Sequence, residues 1–515
     1  MNATRILAAC APINRGLPRD ERIEQGAARR RWAAPTPFAL LVLLLSACGG
    51  GGGGGDDDSS VPASNAPPAA SFTVTPSSGV APLLVQLDAS ASTDSDGSIA
   101  SYAWDFGDSS AAGSGLTTSH VFQANGTYTV TMTVTDDDGA TRSTTRQVSV
   151  IQTATLSRIA SIDVGDMNVC AVGVDGQAWC WGPNHYGQLG TGDTAAADVP
   201  RTAAEGYLFA KISMSTGGAF ACGIATTGAA FCWGNQEGGR LGDGTMAPVG
   251  QYVTAPVPVS GGLTFTDIAT GGDHACGIAA GGAAYCWGHN ERGQLGRGSS
   301  ANSAVPVAVS GGLSFTSITA HQMVTCGIAA DGTGYCWGNG AMGNLGTGSV
   351  ASSNVPVAIT GNLRFSSLQL GLWTACGVTT SGDGYCWGQN GSGELGVGSK
   401  TPAESLEPRL VVDGHHWQAI SPGVAVTCGV RTDDQGFCWG GNVSGERGDG
   451  PFPAPDVTSP VPVVGNLAFE SIDADWCSCG VAGEVAYCWG PGDFGCIGDG
   501  TREDRGIPTR VAGQP

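Results

Sequence analysis

Basic residues, and charged residues in general, are scarce in this chain. Only 13% of the 515 residues are charged, and 44 Asp and Glu outnumber 23 Lys and Arg, which gives a net charge of −21. A nucleic-acid partner requires a basic surface, so this balance excludes that class of function. Long amphipathic helices are also absent, and most apolar segments are short and end in Gly, Asn, Asp or Pro. We therefore expect an all-β chain of tight turns.

The motifs of common catalytic sites are missing as well. The seven His occupy unrelated positions, and none stands in a Ser/His/Asp, Cys/His or HExxH context. The many Gly-rich turns lack the Lys-Ser or Lys-Thr pair of a phosphate-binding loop. An alignment of the internal repeats described below supplies neither convergent acids nor a His at the centre of the fold. We predict that the chain is not an enzyme.

The N-terminal segment has the pattern of an export signal. Residues 29–48 read RRRWAAPTPFALLVLLLSAC, in which a basic stretch precedes an apolar run that is too short to span a bilayer. The last four residues, 45–48, resemble the lipobox of bacterial lipoproteins. This resemblance implies a signal peptide over 1–47 and a lipid on Cys48, and Gly49 implies the outer membrane of the cell envelope. The alternative is an ordinary secretory signal with an incidental cysteine.

Residues 48–66 form a Gly-, Asp-, Ser- and Pro-rich tether that cannot bury a core. In residues 67–151, β-branched and polar residues alternate between turn clusters, which predicts a small immunoglobulin-like β-sandwich. The stretches YAWDFGD at 102–108, HVF at 120–122 and GTYTV at 126–130 resemble the polycystic kidney disease domain, a spacer or adhesion module of exported bacterial proteins.

No cofactor is expected, apart from the calcium that several domains of that family bind. Carboxylate oxygens are the ligands that this ion prefers, and the sandwich supplies Asp94, Asp96, Asp105 and Asp137. The alternative is that these acids only cap turns such as SDGS and DDDGA.

Seven repeats of 50 to 54 residues occupy the rest of the chain, residues 155–515. Each repeat contains a VPV segment, an F..I segment, a Cys-Gly segment and a Tyr-Cys-Trp-Gly segment, and four short strands per repeat predict one propeller blade. The pattern DG..YCWG.N..GQLG.G resembles the regulator of chromosome condensation repeat family, which implies a seven-bladed β-propeller. Because the chain enters the array without a VPV segment and ends on one, we expect the last strand, near Ile507, to complete the first blade and close the ring.

Two cysteines bracket a short turn in every repeat. Their spacing can place them on facing strands of one hairpin, and export into an oxidising compartment favours disulfides over zinc, for which no regular His is present. The predicted pairs are Cys170–Cys180, Cys222–Cys232, Cys276–Cys286, Cys326–Cys336, Cys376–Cys386, Cys428–Cys438 and Cys479–Cys488. Two further cysteines, Cys477 and Cys496, can form an eighth bridge, although Cys477 and Cys479 face the same side of a strand and compete for partners.

One loop position differs in every repeat although its surroundings stay nearly constant. The seven residues that stand about three positions before the first paired cysteine are Met167, Ala219, Asp273, Met323, Trp373, Ala425 and Trp476. The fold does not dictate such different side chains, so they suit a binding face, together with the neighbours Phe220 and His274. Local packing is the alternative.

These features favour a non-enzymatic protein of the cell envelope that serves binding or adhesion and is a monomer. Its expected partner is an unidentified protein or glycan, and it contacts the membrane through the lipid anchor only. The alternatives are a protein inhibitor of an extracytoplasmic enzyme, since a β-lactamase-inhibitory protein resembles this fold, or a propeller hydrolase or lyase.

Overall fold

A computed structural model describes residues 65–514 of the protein, apart from residues 81, 82, 125, 152–155, 218 and 413. The signal peptide, Cys48 and nearly all of the tether lie outside these residues. Within the described part, the chain is built of strands, with one short 3-10 helix at Ala341–Gly343. No helix in that part is long and apolar enough to cross a membrane.

The first domain is a sandwich of two sheets with the strand orders β1-β3-β6 and β2-β8-β7-β4-β5. All neighbouring strands are antiparallel except β2 and β8. Its strands are β1 (Thr73–Thr75), β2 (Ser78–Val80), β3 (Leu83–Asp88), β4 (Ile99–Asp105), β5 (Gly113–Ser114), β6 (Thr117–Phe122), β7 (Gly126–Asp136) and β8 (Thr141–Ile151).

The core of the sandwich follows from the alternation in the sequence. In β3, every second residue is buried, and the same holds in the second half of β7. These inward side chains pack around Trp104, which is 1% exposed and donates its indole N–H to the carbonyl oxygen of Gly115 at 2.9 Å. A buried indole N–H usually has such a partner, because leaving it without one costs free energy.

The second domain consists of seven four-stranded antiparallel sheets, each made of four consecutive strands. Blade 1 is β9 (Ile159–Val164), β10 (Val169–Gly173), β11 (Ala178–Gly182) and β12 (Ala197–Ala203). Blade 2 is β13 (Phe209–Met214), β14 (Phe220–Ala225), β15 (Ala230–Asn235) and β16 (Tyr252–Pro258). Blade 3 is β17 (Phe265–Thr270), β18 (His274–Ala279), β19 (Ala284–Gly288) and β20 (Ser303–Ala308).

The other four blades repeat this order. Blade 4 is β21 (Phe315–His321), β22 (Val324–Ala329), β23 (Gly334–Gly338) and β24 (Ser353–Ala358). Blade 5 is β25 (Phe365–Leu370), β26 (Thr374–Thr379), β27 (Gly384–Gln389) and β28 (Glu404–Leu410). Blade 6 is β29 (Trp417–Pro422), β30 (Val426–Arg431), β31 (Gly436–Gly440) and β32 (Val457–Pro462). Blade 7 is β33 (Phe469–Ala474), β34 (Ser478–Ala482), β35 (Val485–Gly490) and β36 (Arg505–Arg510).

The first strand of each blade, which carries the F..I segment, lies at the centre of the ring. These seven strands contact one another in sequence, and the strand of blade 7 contacts that of blade 1. The VPV strand is the outermost strand of its blade, paired only with the Cys-Trp-Gly strand. The domain is therefore a closed seven-bladed propeller, as the repeat pattern predicted.

The predicted mode of ring closure was wrong. The C-terminal strand β36 pairs with β35 in blade 7, and blade 1 already holds its own outer strand, β12. The VPV strand belongs to the blade before it because the G.LG turn folds the chain back beside the Cys-Trp-Gly strand. Closure rests instead on contacts between blades 7 and 1, where the Ile159 amide donates to the Glu484 carbonyl at 2.8 Å and the side chains of Arg502 and Asp198 form an ion pair at 3.0 Å.

A hydrogen bond repeated at all seven interfaces holds neighbouring blades together. The buried Trp of each Cys-Trp-Gly segment donates its indole N–H to a carbonyl in the G.LG turn of the preceding blade, at 2.7 to 3.1 Å. A Gly in that turn, with φ near +65°, lies against the indole ring. The seven glycines are Gly190, Gly242, Gly296, Gly346, Gly396, Gly448 and Gly498. They serve both turn geometry and close packing on the next blade.

Candidate functional site

Two sets of loops share one end of the propeller. Within a blade, successive strands run antiparallel, so the loop between the first and second strands and the loop between the third and fourth strands emerge on the same side. Direct hydrogen bonds join them: the amides of Asn339 and Gln389 donate to the carbonyls of Met323 and Trp373, each at 2.9 Å. We call this end of the propeller the loop face.

The variable position predicted from the repeats lies on the loop face, with unequal exposure. Met323 is 40% exposed, while Met167, Asp273, Trp373, Ala425 and Trp476 are half-buried and Ala219 is buried. The two neighbours were wrong as binding residues, because Phe220 and His274 begin the second strand of their blades, where every side chain is buried.

His274 has a structural role instead. Its Nε2 atom lies 2.8 Å from the Thr325 hydroxyl of the next blade, and burial lowers the pKa of the imidazole to about 4. The ring is therefore neutral at physiological pH and joins blades 3 and 4.

The exposed apolar residues of the longer loops on this face were not predicted from the sequence. They lie between the third and fourth strands and are Tyr186, Met246, Val249, Met342, Val350, Val443, Phe452 and Phe494. The signal was present, because Tyr186, Met342 and Phe494 occupy the position just before the G.LG turn, where other repeats have Gly, Arg or Ser.

Three of these side chains, together with two at the variable position, fall on three consecutive blades. Phe452 comes from blade 6, Trp476 and Phe494 from blade 7, and Met167 and Tyr186 from blade 1. Phe452 leans onto blade 7, since a Cβ added at Gly506 would meet its ring at 2.5 Å. We call these five residues the aromatic arc. Tyr186 is 39% exposed, Phe452 38% and Phe494 49%.

The inner strands surround an axial cavity of about 80 Å³. Its lining includes Asp163 of blade 1, Lys211 of blade 2, His321 of blade 4, and Asp473 and Asp475 of blade 7. The expectation that the repeats bring no acids and no His together at the centre was therefore wrong. His321 and Asp475 occupy an inner-strand position where the other blades have only Gly or Ser: Gly165, Ser215, Gly271, Gly371 and Gly423.

Burial and mutual repulsion perturb these carboxyl groups. Burial, followed by the charge of Asp473, raises the pKa of Asp163 to about 7, although the Met214 amide donates to its Oδ1 atom at 2.6 Å. Burial also raises the pKa values of Asp473 and Asp475. Asp473 accepts hydrogen bonds from the Ser421 hydroxyl and the Val164 amide, each at 2.8 Å.

The aromatic arc and the axial cavity meet at Asp166. Burial raises the pKa of this carboxyl group to about 6, and the charge of Asp475 adds to the increase, while a hydrogen bond from Trp476 opposes it. Asp166 is therefore a neighbour of both Trp476 of the arc and Asp475 of the cavity lining.

The structure does not bring the four predicted calcium ligands together. Asp96 accepts a hydrogen bond from the Ala66 amide at 2.8 Å, and Asp105 accepts one from the Gly107 amide at 2.9 Å. Asp94 and Asp137 both approach Gly97, since a Cβ added there would lie within 2.9 Å of each carboxylate. Both oxygens of Asp94 are buried without a hydrogen-bond partner. The described residues contain no group of three or more His, Cys, Asp or Glu arranged to hold a metal.

The cysteines of all seven blades are paired within their hairpins. Each pair stands in direct register across the second and third strands, with Cα atoms 4.0 to 4.2 Å apart. An eighth disulfide joins Cys477 to Cys496, so Cys479 is left to pair with Cys488.

Comparisons with known proteins agree with this architecture. Residues 65–151 match the PKD domain, and residues 175–223, 227–278, 281–328 and 331–376 match the regulator of chromosome condensation (RCC1) repeat. The chain is a PKD domain followed by RCC1 repeats that form a β-propeller. Human WBSCR16 superposes on 65% of this chain and 94% of its own, with a TM-score of 0.59 and 16% identity. Prp20p from Saccharomyces cerevisiae covers 66% and 87%, with a TM-score of 0.58 and 20% identity.

Curated relatives match the RCC1-repeat propeller over a limited length. The ultraviolet-B receptor UVR8 of Arabidopsis thaliana is 35% identical over 144 residues, which are 27% of this chain and 32% of the receptor. The E3 ubiquitin-protein ligase HERC2 of Homo sapiens is 31% identical over 138 residues, which are 26% of this chain and 3% of the ligase. The match thus spans at most about a third of these relatives.

Proposed function

We propose that this chain is a non-enzymatic binding or adhesion protein of the bacterial cell envelope, in which the propeller recognises a protein partner through its loop face. The observation that carries the proposal is the aromatic arc. Aromatic residues are enriched at the energetic centres of protein interfaces, and three aromatic side chains of the arc, Tyr186, Phe452 and Phe494, are 38 to 49% exposed. Prp20p, which has the same fold, has binding properties to Gsp1p and histones, so such a propeller can present a protein-binding surface.

The dimensions of the axial cavity support a non-enzymatic role. Pockets for substrates of ordinary size have volumes of roughly 300 to 1,000 Å³. The cavity measures about 80 Å³, so it has no room for such a substrate beside its carboxyl groups. Loops on the rim of a rigid scaffold are, in contrast, the usual place for recognition.

The proposal is tested by capturing envelope proteins on the full chain and comparing two variants. Phe494→Ala removes an exposed aromatic of the arc, while Leu208→Ala removes an apolar side chain of equal exposure, 49%, at the opposite end of the propeller. An anchor residue contributes about 2 kcal/mol, which corresponds to a loss of about 30-fold in affinity.

We expect Phe494→Ala to lose the captured partner and Leu208→Ala to keep it. Equal capture by both variants, with circular dichroism unchanged, would place the binding surface elsewhere. A glycan array with the same variants tests the alternative ligand class. If the captured partner is an extracytoplasmic enzyme, an activity assay with added propeller tests inhibition.

We further propose that a lipid on Cys48 anchors the protein to the outer membrane, with the tether and the PKD domain as a spacer. The support is the segment Leu45-Ser46-Ala47-Cys48 after an apolar run. Cys48→Ala should move the protein from the membrane fraction to the soluble fraction, whereas the control Cys10→Ala should not. Membrane association of the Cys48→Ala variant would refute the anchor.

A further inference from the structure

The axial cavity holds more carboxylates than nearby cations can balance. Lys211 is the only Lys or Arg among its lining residues, and its ammonium group is already bound to Asp267 at 2.6 Å. Asp163, Asp473 and Asp475 therefore face the same space without a cation of their own. Crowding of like charges in a poorly solvated site is unfavourable, and a bound cation relieves it.

Two side chains at the cavity have polar atoms that lack partners. Asp475 is 4% exposed and His321 is 5% exposed. The Oδ2 atom of Asp475 and both ring nitrogens of His321 are buried without a hydrogen bond, and the 3.6 Å between Asp475 Oδ2 and His321 Nε2 exceeds hydrogen-bond distance. Buried polar atoms in proteins are nearly always satisfied, so these atoms indicate a missing hydrogen-bonding partner. Both residues line the cavity.

The spacing of these groups selects the kind of cation. Calcium needs six to eight oxygens at about 2.3 to 2.6 Å, and the described residues offer no group of three or more metal-ligating side chains. An ammonium group instead donates three hydrogen bonds at about 2.8 Å to acceptors that can lie further apart. The volume of about 80 Å³ leaves space for an ammonium group with a short alkyl chain.

We propose that the axial cavity binds a small primary alkylammonium ion, whose three N–H groups donate to Asp163, Asp475 and a ring nitrogen of His321, while the carboxylate of Asp473 adds its charge to the site. The ion enters past Gln369, the exposed residue of the lining, and the half-buried Lys211. Its alkyl part contacts Leu370 of the lining. This site lies on the propeller axis and does not depend on the function proposed for the loop face.

The proposal is tested by isothermal titration of the full chain with ethylammonium chloride above neutral pH, at constant ionic strength. With three heavy atoms, this probe should bind with a Kd on the order of 1 mM. Tetramethylammonium chloride carries the same charge without N–H donors, and calcium chloride tests the metal. Asp475→Asn is the main variant, because Oδ2 has no hydrogen bond to lose. Glu470→Gln, on the exposed side of β33, which ends just before Asp475, is its control.

We expect saturable ethylammonium binding that Asp475→Asn weakens at least about tenfold and Glu470→Gln leaves unchanged. Absence of saturable binding overturns the proposal, as does equal binding of tetramethylammonium or tighter binding of calcium. If Asp475→Asn unfolds by circular dichroism, His321→Asn replaces it with the same expected loss. An increase in the melting temperature of the wild type with ethylammonium, absent with tetramethylammonium, provides a second readout.

Discussion

The packing of glycine on the indole of the next blade can be measured by itself, because the chain contains a matched pair of glycines. Gly296 has φ +64°, and a Cβ added there would lie 2.7 Å from Trp337 Nε1. Gly312 has φ +63° and nothing within 4 Å of its added Cβ. Substitution by Ala creates the same left-handed backbone cost at both sites, about 1 to 2 kcal/mol. Only Gly296→Ala adds a clash with a fully buried ring.

The difference between the two variants therefore reports the interface. Overpacking of a buried contact costs about 1 to 3 kcal/mol, so Gly296→Ala should lose that much more stability than Gly312→Ala. Urea unfolding of the disulfide-intact chain, followed by tryptophan fluorescence, gives both losses from the shift of the midpoint. Equal midpoints for the two variants would show that the turn conformation, and not the contact with Trp337, requires glycine at position 296.

Three further outcomes are expected. Loss of one blade disulfide by Cys376→Ala with Cys386→Ala should cost ~2.5 to 3 kcal/mol in urea unfolding, as closure of a loop of about ten residues predicts, and no loss would contradict that role. Burial raises the pKa of Asp163 from 3.8 in the unfolded state to about 7 in the folded state, so this group lowers the stability of the fold as the pH rises between these values. Asp163→Asn should therefore raise the melting temperature above pH 7 but not below pH 3.8. An equal effect at both pH values would refute the burial argument. Calcium should leave the melting temperature of the full chain unchanged, because the structure does not bring Asp94, Asp96, Asp105 and Asp137 together; an increase that is lost in Asp94→Asn and kept in the exposed control Asp138→Asn would refute this interpretation.

The repeat pattern predicts most of the fold because its restraints recur seven times. The hairpin register follows from the cysteine spacing, and the indole positions follow from the Trp-Gly segment. The grouping of strands into blades was not decided by the same pattern. A VPV segment lies between two repeats in the sequence, and its alternation suits pairing with either one. The register of Cys336 with Val357 shows which neighbour it joins.

The candidate sites were harder to predict for a different reason. Residues that differ between repeats carry the functional information, but a difference alone does not tell a buried position from an exposed one. His274 and Phe220 differ from their equivalents and are buried, whereas Tyr186 and Phe494 differ and are exposed. The axial His321 was overlooked because its equivalents are Gly or Ser, and its partner groups lie on blades distant in sequence.

Closure of the ring explains why blade 7 departs from the other repeats. Without an exchanged strand, only noncovalent contacts join blade 7 to blade 1. The indole of Trp181 donates to the Cys496 carbonyl at 2.8 Å, so the turn that contains Cys496 is the acceptor side of the closing interface. The additional disulfide fixes this turn to Cys477, beside the loop of Trp476. Because a tethered acceptor loses less conformational entropy when the ring closes, the eighth bridge stabilises the interface where the first and last blades meet. The same interface carries the aromatic arc and the acidic end of the axial cavity, so its rigidity also fixes the geometry of both proposed sites.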